Sequence, residues 1–119
     1  MPDVDARTRE LLAAAYREFN ARDIEGILGR MADDVEWPNG WEGGYVHGRA
    51  AVRDYWSRQW AELDPAVTPV GLATLPDGRV DVTVHQIVRS RDGALLSDST
   101  VHHVYRLDNG LILHMEIRE

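Results

Sequence analysis

Apolar side chains in the first third of the chain recur with the period of an α-helix. Five of them follow the i, i+3, i+4 spacing that places residues on one helical face: Leu11, Leu12, Ala15, Tyr16 and Phe19. Asp23 is a suitable N-cap for a short second helix, because its carboxylate can accept from free backbone N–H groups. That helix would bury four apolar side chains and end at Asp33-Asp34: Ile24, Ile27, Leu28 and Met31.

A third helix is predicted from about Arg49 to Leu63, ending before Asp64-Pro65. Its apolar stripe comprises Val52, Tyr55, Trp56, Trp60 and Leu63. The segment before it contains a predicted short strand at 35–37, which stops at Pro38-Asn39-Gly40, and a glycine-rich loop at 41–48.

The second half of the chain alternates apolar and polar positions with the period of a β-strand. Four such runs, at 66–75, 79–90, 95–107 and 111–118, are separated by Asp- and Gly-containing turn sequences. Helices followed by an antiparallel meander predict an α+β fold, with three N-terminal helices covering one face of a curved, mostly antiparallel sheet. The length of 119 residues is that of one domain, and we expect residues 1–119 to form it.

The turns predict which residues lie opposite one another. A two-residue turn at Asp92-Gly93 would place Val82 opposite His103. A three-residue loop over 108–110 would pair Leu107 with Leu111 and place His103 opposite Met115. One face of the sheet is then mostly apolar: Val80, Val82, Val84, Val88, Val101, Leu107, Leu111, Leu113, Met115 and Ile117.

Four polar side chains share that apolar face: Gln86, Ser99, His103 and Tyr105. A buried polar group without a partner costs about 1–3 kcal/mol, so this cluster needs an explanation. The four groups hydrogen-bond one another, or lie where the sheet frays into solvent, or line a ligand pocket. In a pocket, His103 is the natural proton carrier, because the ordinary pKa of histidine is about 6.5.

Composition excludes several functional classes. The formal net charge is −7, with the charges scattered along the chain, which argues against nucleic-acid and membrane partners. The chain has no cysteine, and all thirteen basic residues are arginine, so thiolate and Schiff-base chemistry are excluded. The first residues carry no apolar segment typical of a secretion signal. These features predict a cytoplasmic protein.

Several segments together resemble the nuclear transport factor 2-like superfamily, which includes ketosteroid isomerases and SnoaL-like polyketide cyclases. The segments are Ala14-Ala15-Tyr16, Asp23-Ile24-Glu25, Ala32-Asp33-Asp34-Val35, His47-Gly48-Arg49-Ala50-Ala51-Val52 and the terminal strand hairpin. The resemblance implies a conical α+β barrel with an apolar cavity, and a homodimer formed through the outer face of the sheet. It does not by itself imply one activity, because fold and function are only loosely linked.

The isomerase pattern can be carried over residue by residue. Its oxyanion-stabilising tyrosine falls on Tyr16, and its second oxyanion donor falls on His103. Its catalytic aspartate falls at or near Asn39, which cannot abstract a proton, and the nearest carboxylate is Glu36. The resemblance therefore implies that ketosteroid isomerisation is doubtful and that a dehydratase- or cyclase-like proton transfer fits at least as well.

Further candidates have both structural and functional interpretations. Trp37 and Trp41 flank the glycine-rich loop and would either stack on a ligand or pack in the core. His85, His102 and His114 lie on the polar face, where a metal site with Glu116 is less expected than surface or dimer-interface histidines. No metal or cofactor is predicted.

The leading hypothesis is a pocket for a small, largely apolar organic molecule, with cofactor-free acid–base chemistry if the protein is an enzyme. His103 and Tyr16 are the predicted catalytic residues. The predicted substrate-binding residues are Trp37, Asn39, Trp41, Tyr55, Gln86, Ser99, Tyr105 and Met115. The alternative is a ligand-binding or dimerising module of the same fold without catalytic activity.

Overall fold

A computed structural model describes residues 4–40 and 42–119 of the chain. These residues contain three helices, which precede four of the six strands in the chain. They are α1 (Ala6–Asn20), α2 (Ile24–Leu28) and α3 (Arg49–Glu62). The first two begin at aspartate caps: Asp5 accepts a hydrogen bond from the backbone of Thr8, and Asp23 accepts one from that of Gly26. The cap predicted at Asp23 is confirmed, and Asp5 is a second aspartate cap that the sequence analysis did not name.

Six strands form one sheet in the order β2-β1-β6-β5-β4-β3. The strands are β1 (Met31–Pro38), β2 (Tyr45–His47), β3 (Leu63–Thr74), β4 (Val80–Ser90), β5 (Leu95–Asp108) and β6 (Leu111–Arg118). All neighbours are antiparallel except β1 and β6. The predicted α+β fold with a curved, mostly antiparallel sheet is confirmed, although the sheet stays open between its edge strands β2 and β3 instead of closing into a barrel.

The sequence prediction was wrong between the second and third helices. Asp33 and Asp34 lie within β1 and do not end α2, and the predicted loop contains β2. The strand Met31–Pro38 pairs with β2 on one side and with β6 on the other. These pairings are made with residues distant in sequence, so local helix propensity does not decide the conformation. At the end of α3, Asp64 and Pro65 belong to β3.

The β4–β5 register is as predicted in its central part. Val82 lies opposite His103 and Val84 opposite Val101. The turn itself differs, because Ser90 donates its backbone N–H to Ala94 across a three-residue loop. A bulge between the pairs Val88–Ser97 and Arg89–Leu95 restores the register.

The predicted β5–β6 register was wrong. Asp108 pairs with Leu111 across a two-residue turn, in which Asn109 and Gly110 have φ of 51° and 76°. Positive φ at both central residues is typical of the tight hairpin turn that matches strand twist. A further register shift places His103 opposite Ile117 and Tyr105 opposite Met115.

The register shift between the pairs Arg106–His114 and Leu107–Ile112 changes which β6 side chains face the helices. His103 and Met115 stay on the same face as predicted, because the register between them moves by two residues. Ile112 is buried, whereas Leu111 and Leu113, which were predicted on the inner face, are only half-buried. The bulge therefore substitutes Ile112 for these two residues in the core.

The core lies between the helices and the inner face of the sheet. Its largest fully buried side chains are Trp56, Leu12, Met31, Ile112 and Met115. Asn20 ties the end of α1 to β3, because its side-chain amide accepts from the backbone N–H of Val67 and donates to the Val67 carbonyl. These two hydrogen bonds hold α1 against β3 beside the cavity, which Val67 lines.

Candidate functional site

A cavity of about 200 Å³ separates the helices from the inner face of the sheet. Predicted site residues on α1, β1 and α3 that line it are Tyr16, Trp37 and Tyr55. Those on the sheet are Gln86, His103, Tyr105 and Met115. Ile117 also lines the cavity and is 45% exposed, so the cavity reaches the surface beside the end of β6.

Three buried side chains form a hydrogen-bonded relay against this cavity. The hydroxyl of Tyr105 donates to the hydroxyl of Tyr16 over 2.8 Å. The Tyr16 hydroxyl in turn lies 2.8 Å from Nδ1 of His103. Since Tyr16 already accepts from Tyr105, its own proton points at Nδ1, and neutral His103 then carries its proton on Nε2.

His103 lines the cavity, and its Nε2 atom differs from the other polar atoms of the relay because it has no hydrogen-bond partner in the described part of the chain. This atom is buried, and the residue is only 5% exposed. Burial lowers the pKa of His103 to about 4, and the neighbouring His102 contributes to the same shift. The imidazole is therefore neutral near pH 7 and presents an N–H donor that lacks an acceptor.

Burial has the opposite effect on the two tyrosines. It raises the pKa of Tyr16 well above the usual value, and it also raises that of Tyr105. Both hydroxyls consequently stay protonated across the physiological range, which keeps them available as donors. The relay can support negative charge that develops on a group bound to His103, because successive hydrogen bonds from Tyr105 through Tyr16 to His103 polarise one another.

Tyr55 connects α3 to the loop that follows β1. Its hydroxyl accepts from the backbone N–H of Gly40 over 3.0 Å and from the side-chain amide of Gln59 over 3.2 Å. Burial raises the pKa of this hydroxyl. Tyr55 thus holds the loop against the wall of the cavity.

No carboxylate or guanidinium group lines the cavity in the part of the chain that the structure describes. Glu36, the carboxylate considered as a substitute base, points away from it and lies 3.1 Å from Nδ1 of His114 and 3.4 Å from that of His47. A cavity without formal charge favours uncharged ligands, because an isolated charge is costly to bury.

Two predicted site residues that the structure describes, Asn39 and Ser99, do not line the cavity. Asn39 instead shapes its own loop, since its side-chain oxygen accepts from the backbone N–H of Glu42. Ser99 pairs with Gln86 in the sheet but does not line the cavity. Trp41 lies outside the described residues. The local turn preference of Asn39 explains its position.

The sequence analysis missed several cavity residues. Trp56 was assigned to core packing on the stripe of the third helix, and it also lines the cavity. Phe19 and Gln59 line it as well. The spacing of Gln59 four residues after Tyr55 is the signal that could have identified it, since i, i+4 side chains meet on one helix face.

The histidines of the outer face are paired with carboxylates. His85 Nε2 lies 2.6 Å from Asp98, and His102 Nδ1 lies 2.9 Å from Asp81. Glu116, the third ligand of the metal site that was considered, binds Arg79 and Arg118. Within residues 4–40 and 42–119, no group of three or more histidine and carboxylate side chains could hold a metal ion.

The model of the SnoaL-like domain family matches residues 12–115 of the chain. TerC, co-crystallised with polyporic acid, has a TM-score of 0.81 and 29% identity over 94% of this chain and 90% of its own. RV0760c from Mycobacterium tuberculosis, in complex with estradiol-17β-hemisuccinate, has a TM-score of 0.80 and 23% identity over 95% and 93%. A computationally designed 17-OHP binder has a TM-score of 0.81 and 22% identity over 97% and 94%.

No curated protein matches the chain at a significant level. None of the helices in the described ranges is long and apolar enough to cross a membrane.

Proposed function

This chain belongs to the SnoaL-like domain family of the NTF2-like superfamily, and we propose that its cavity binds a small, uncharged and largely apolar organic molecule. The observation that carries the proposal is the Nε2–H group of His103, a residue of the cavity wall, because this group is buried and has no acceptor in the described part of the chain. A buried donor without a partner costs about 1–3 kcal/mol. A ligand carbonyl or ether oxygen would supply the missing acceptor and recover that free energy.

The remaining wall supports the same class of ligand. Aromatic and aliphatic side chains dominate it, including Trp37, Trp56 and Met115. Pockets of this kind bind through apolar contact and take their orientation from a few polar groups. Two proteins of the same fold were crystallised with organic molecules, TerC with polyporic acid and RV0760c with estradiol-17β-hemisuccinate, which supports an organic ligand in the cavity of this fold.

Binding can be tested with two uncharged probes that differ by one acceptor, 4-acetylbiphenyl and biphenyl. The indole rings of Trp37 and Trp56 line the cavity, so occupancy should change the tryptophan fluorescence. We expect the ketone to bind about fivefold more tightly than the hydrocarbon, as one hydrogen bond contributes about 1 kcal/mol. His103→Leu should remove this preference, whereas His85→Leu on the outer face should keep it. Absence of binding by both probes would refute the proposal.

A second candidate function is cofactor-free acid–base catalysis of the isomerase, cyclase or dehydratase kind. The relay from Tyr105 through Tyr16 to His103 favours this function. The His103 N–H, whose ring is hydrogen-bonded to two tyrosine hydroxyls in series, can stabilise negative charge on a carbonyl oxygen. His103 would carry the proton and Tyr16 would stabilise the charged intermediate. For a substrate found by product analysis, His103→Ala should abolish turnover while binding of biphenyl persists; unchanged turnover would exclude this role.

We also propose a cytoplasmic location.

We propose further that two copies of the chain associate through the outer face of the sheet. The outer positions of β4 and β5 support this association. They alternate histidine, threonine and carboxylate side chains, several of them only half-buried in the single chain. Such a face can pair with its own copy through polar contacts around a two-fold axis.

A further inference from the structure

Gln86 interrupts an otherwise apolar row on the inner face of β4. The other inward positions of this strand are Val80, Val82, Val84 and Val88. The side chain of Gln86 lines the cavity and is half-buried. Its amide is not among the buried polar atoms without a partner, so the amide reaches solvent and is accessible to a bound molecule that extends toward the surface.

The Gln86 amide makes no hydrogen bond with any residue in the described ranges. Gln59, the other amide on the cavity wall, behaves differently, because its NH₂ group donates to the hydroxyl of Tyr55. The neighbour of Gln86 on β5 is Ser99, which does not line the cavity. Gln86 therefore has two donor hydrogens and one acceptor oxygen available to a bound molecule.

The sheet register gives the separation between Gln86 and His103. His103 lies opposite Val82, and Gln86 follows Val82 by four residues on the same strand. With a rise of about 3.3 Å per residue, the two polar positions lie about 13 Å apart along the strand direction. A molecule that reaches both must be longer than a single ring.

The cavity is open toward Gln86. Strand β6 ends at Arg118, which pairs with His102, so no β6 residue lies beside the part of β5 that faces Gln86. The cavity volume of about 200 Å³ is below the 300–1,000 Å³ typical of ligand pockets. A ligand longer than the cavity can extend through this opening and pass the Gln86 amide.

We propose that Gln86 is the specificity-determining residue for the outer end of the ligand, and that the protein selects elongated, uncharged molecules with a hydrogen-bonding group at each end. The inference rests on the proposed function, since it requires that the cavity binds a ligand. The inner group is an acceptor that faces Nε2–H of His103. The outer group is a carbonyl or a hydroxyl, because the amide can donate or accept.

The test compares 4,4′-diacetylbiphenyl with 4-acetylbiphenyl, two linear probes that differ by one terminal carbonyl. Dissociation constants are measured by calorimetry for the unmodified protein, Gln86→Leu and Ser99→Ala. We expect the unmodified protein to favour the diketone about tenfold. A factor of two is statistical, since either end can face His103, and about fivefold comes from one hydrogen bond.

The leucine variant keeps the size of the side chain and removes its amide, so the preference should fall to about twofold. Ser99→Ala, on the neighbouring strand, should retain the tenfold preference. If the unmodified protein binds both ketones with no more than a twofold difference, Gln86 does not read the outer end, although the cavity still binds ligands. If neither ketone binds, the proposed function fails and this inference fails with it.

Discussion

The hydroxyl of Tyr16 and Nδ1 of His103 lie 2.8 Å apart, although 87 positions separate the two residues in the chain. Tyr16 is in the third turn of α1, and His103 is in the middle of β5. Their rings are nearly parallel, with an interplanar angle of 15° and centroids 5.8 Å apart. This contact joins the helical layer to the sheet and orients the one imidazole that lines the cavity in the described part of the chain.

Removing the central hydroxyl of the relay should cost more stability than removing the terminal one. Tyr16→Phe leaves both the Tyr105 hydroxyl and Nδ1 of His103 without a partner, so we expect a loss of about 2–4 kcal/mol. Tyr105→Phe removes a donor and leaves the Tyr16–His103 contact intact, so about 1 kcal/mol is expected.

Urea denaturation of the two single variants and of the double variant measures these differences. The double variant should be less destabilised than the sum of the single ones, because it no longer contains the stranded Tyr105 hydroxyl. Strict additivity would show that the two hydroxyls act independently.

Acidification should destabilise the protein through His103. Its pKa is about 4 in the folded chain and close to 6.5 when the chain is unfolded, so between these values the unfolded state binds the extra proton. The contribution of His103 to the free energy of unfolding is therefore fully present above about pH 6.5. It decreases as the pH falls, by about 3 kcal/mol in total at pH 4.

Comparison with His103→Gln isolates this effect, because glutamine can replace the hydrogen bonds of the imidazole but does not titrate. Denaturation at pH 7.0, 5.5 and 4.5 should give a smaller loss of stability on acidification for the variant. Equal losses in both proteins would mean that His103 is accessible to protons in the folded state.

Ligand charge should strongly reduce affinity. No arginine lines the cavity within the described residues, and His103 is neutral near pH 7. A carboxylate that enters would lose its hydration without gaining a counter-ion. We expect biphenyl-4-carboxylate to bind at least about 100-fold more weakly than 4-acetylbiphenyl at pH 7, as measured by competition in the tryptophan fluorescence assay. Similar affinities would require a cation at the site.

The proposed dimer can be tested by light scattering coupled to size exclusion. Thr83 lies on the outer face, opposite His102 on β5 and Gly71 on β3. A large charged side chain there should block association, so we expect Thr83→Arg to halve the mass from that of two chains to that of one. Ser57→Arg, on an exposed position of α3, is the control and should remain dimeric. A single-chain mass for the unmodified protein would exclude the dimer.

The sequence determined the kind of most elements and the buried faces of β4 and β5. The 3.6-residue period around Tyr16 and the two-residue alternation around His103 are local consequences of backbone geometry, and both are present in the structure. The caps at Asp5 and Asp23 are equally local, since each carboxylate binds an N–H group three residues away. The pairing of Val82 with His103 was predicted from a two-residue turn, and the three-residue loop together with the bulge in the structure gives the same pairing.

Tertiary structure decided what local patterns cannot express. The segment after α2 is a strand because β2 and β6 supply its hydrogen bonds, and the bulge in β6 determines that Ile112 faces inward. Whether a polar side chain lines a cavity also depends on residues distant in sequence. Glu36 is turned away by its pairing with His114, and Asn39 is bound to its own loop. His103 lines the cavity, and its Nε2 has no hydrogen-bond partner among the described residues, because Tyr16, from the opposite layer, binds the other nitrogen.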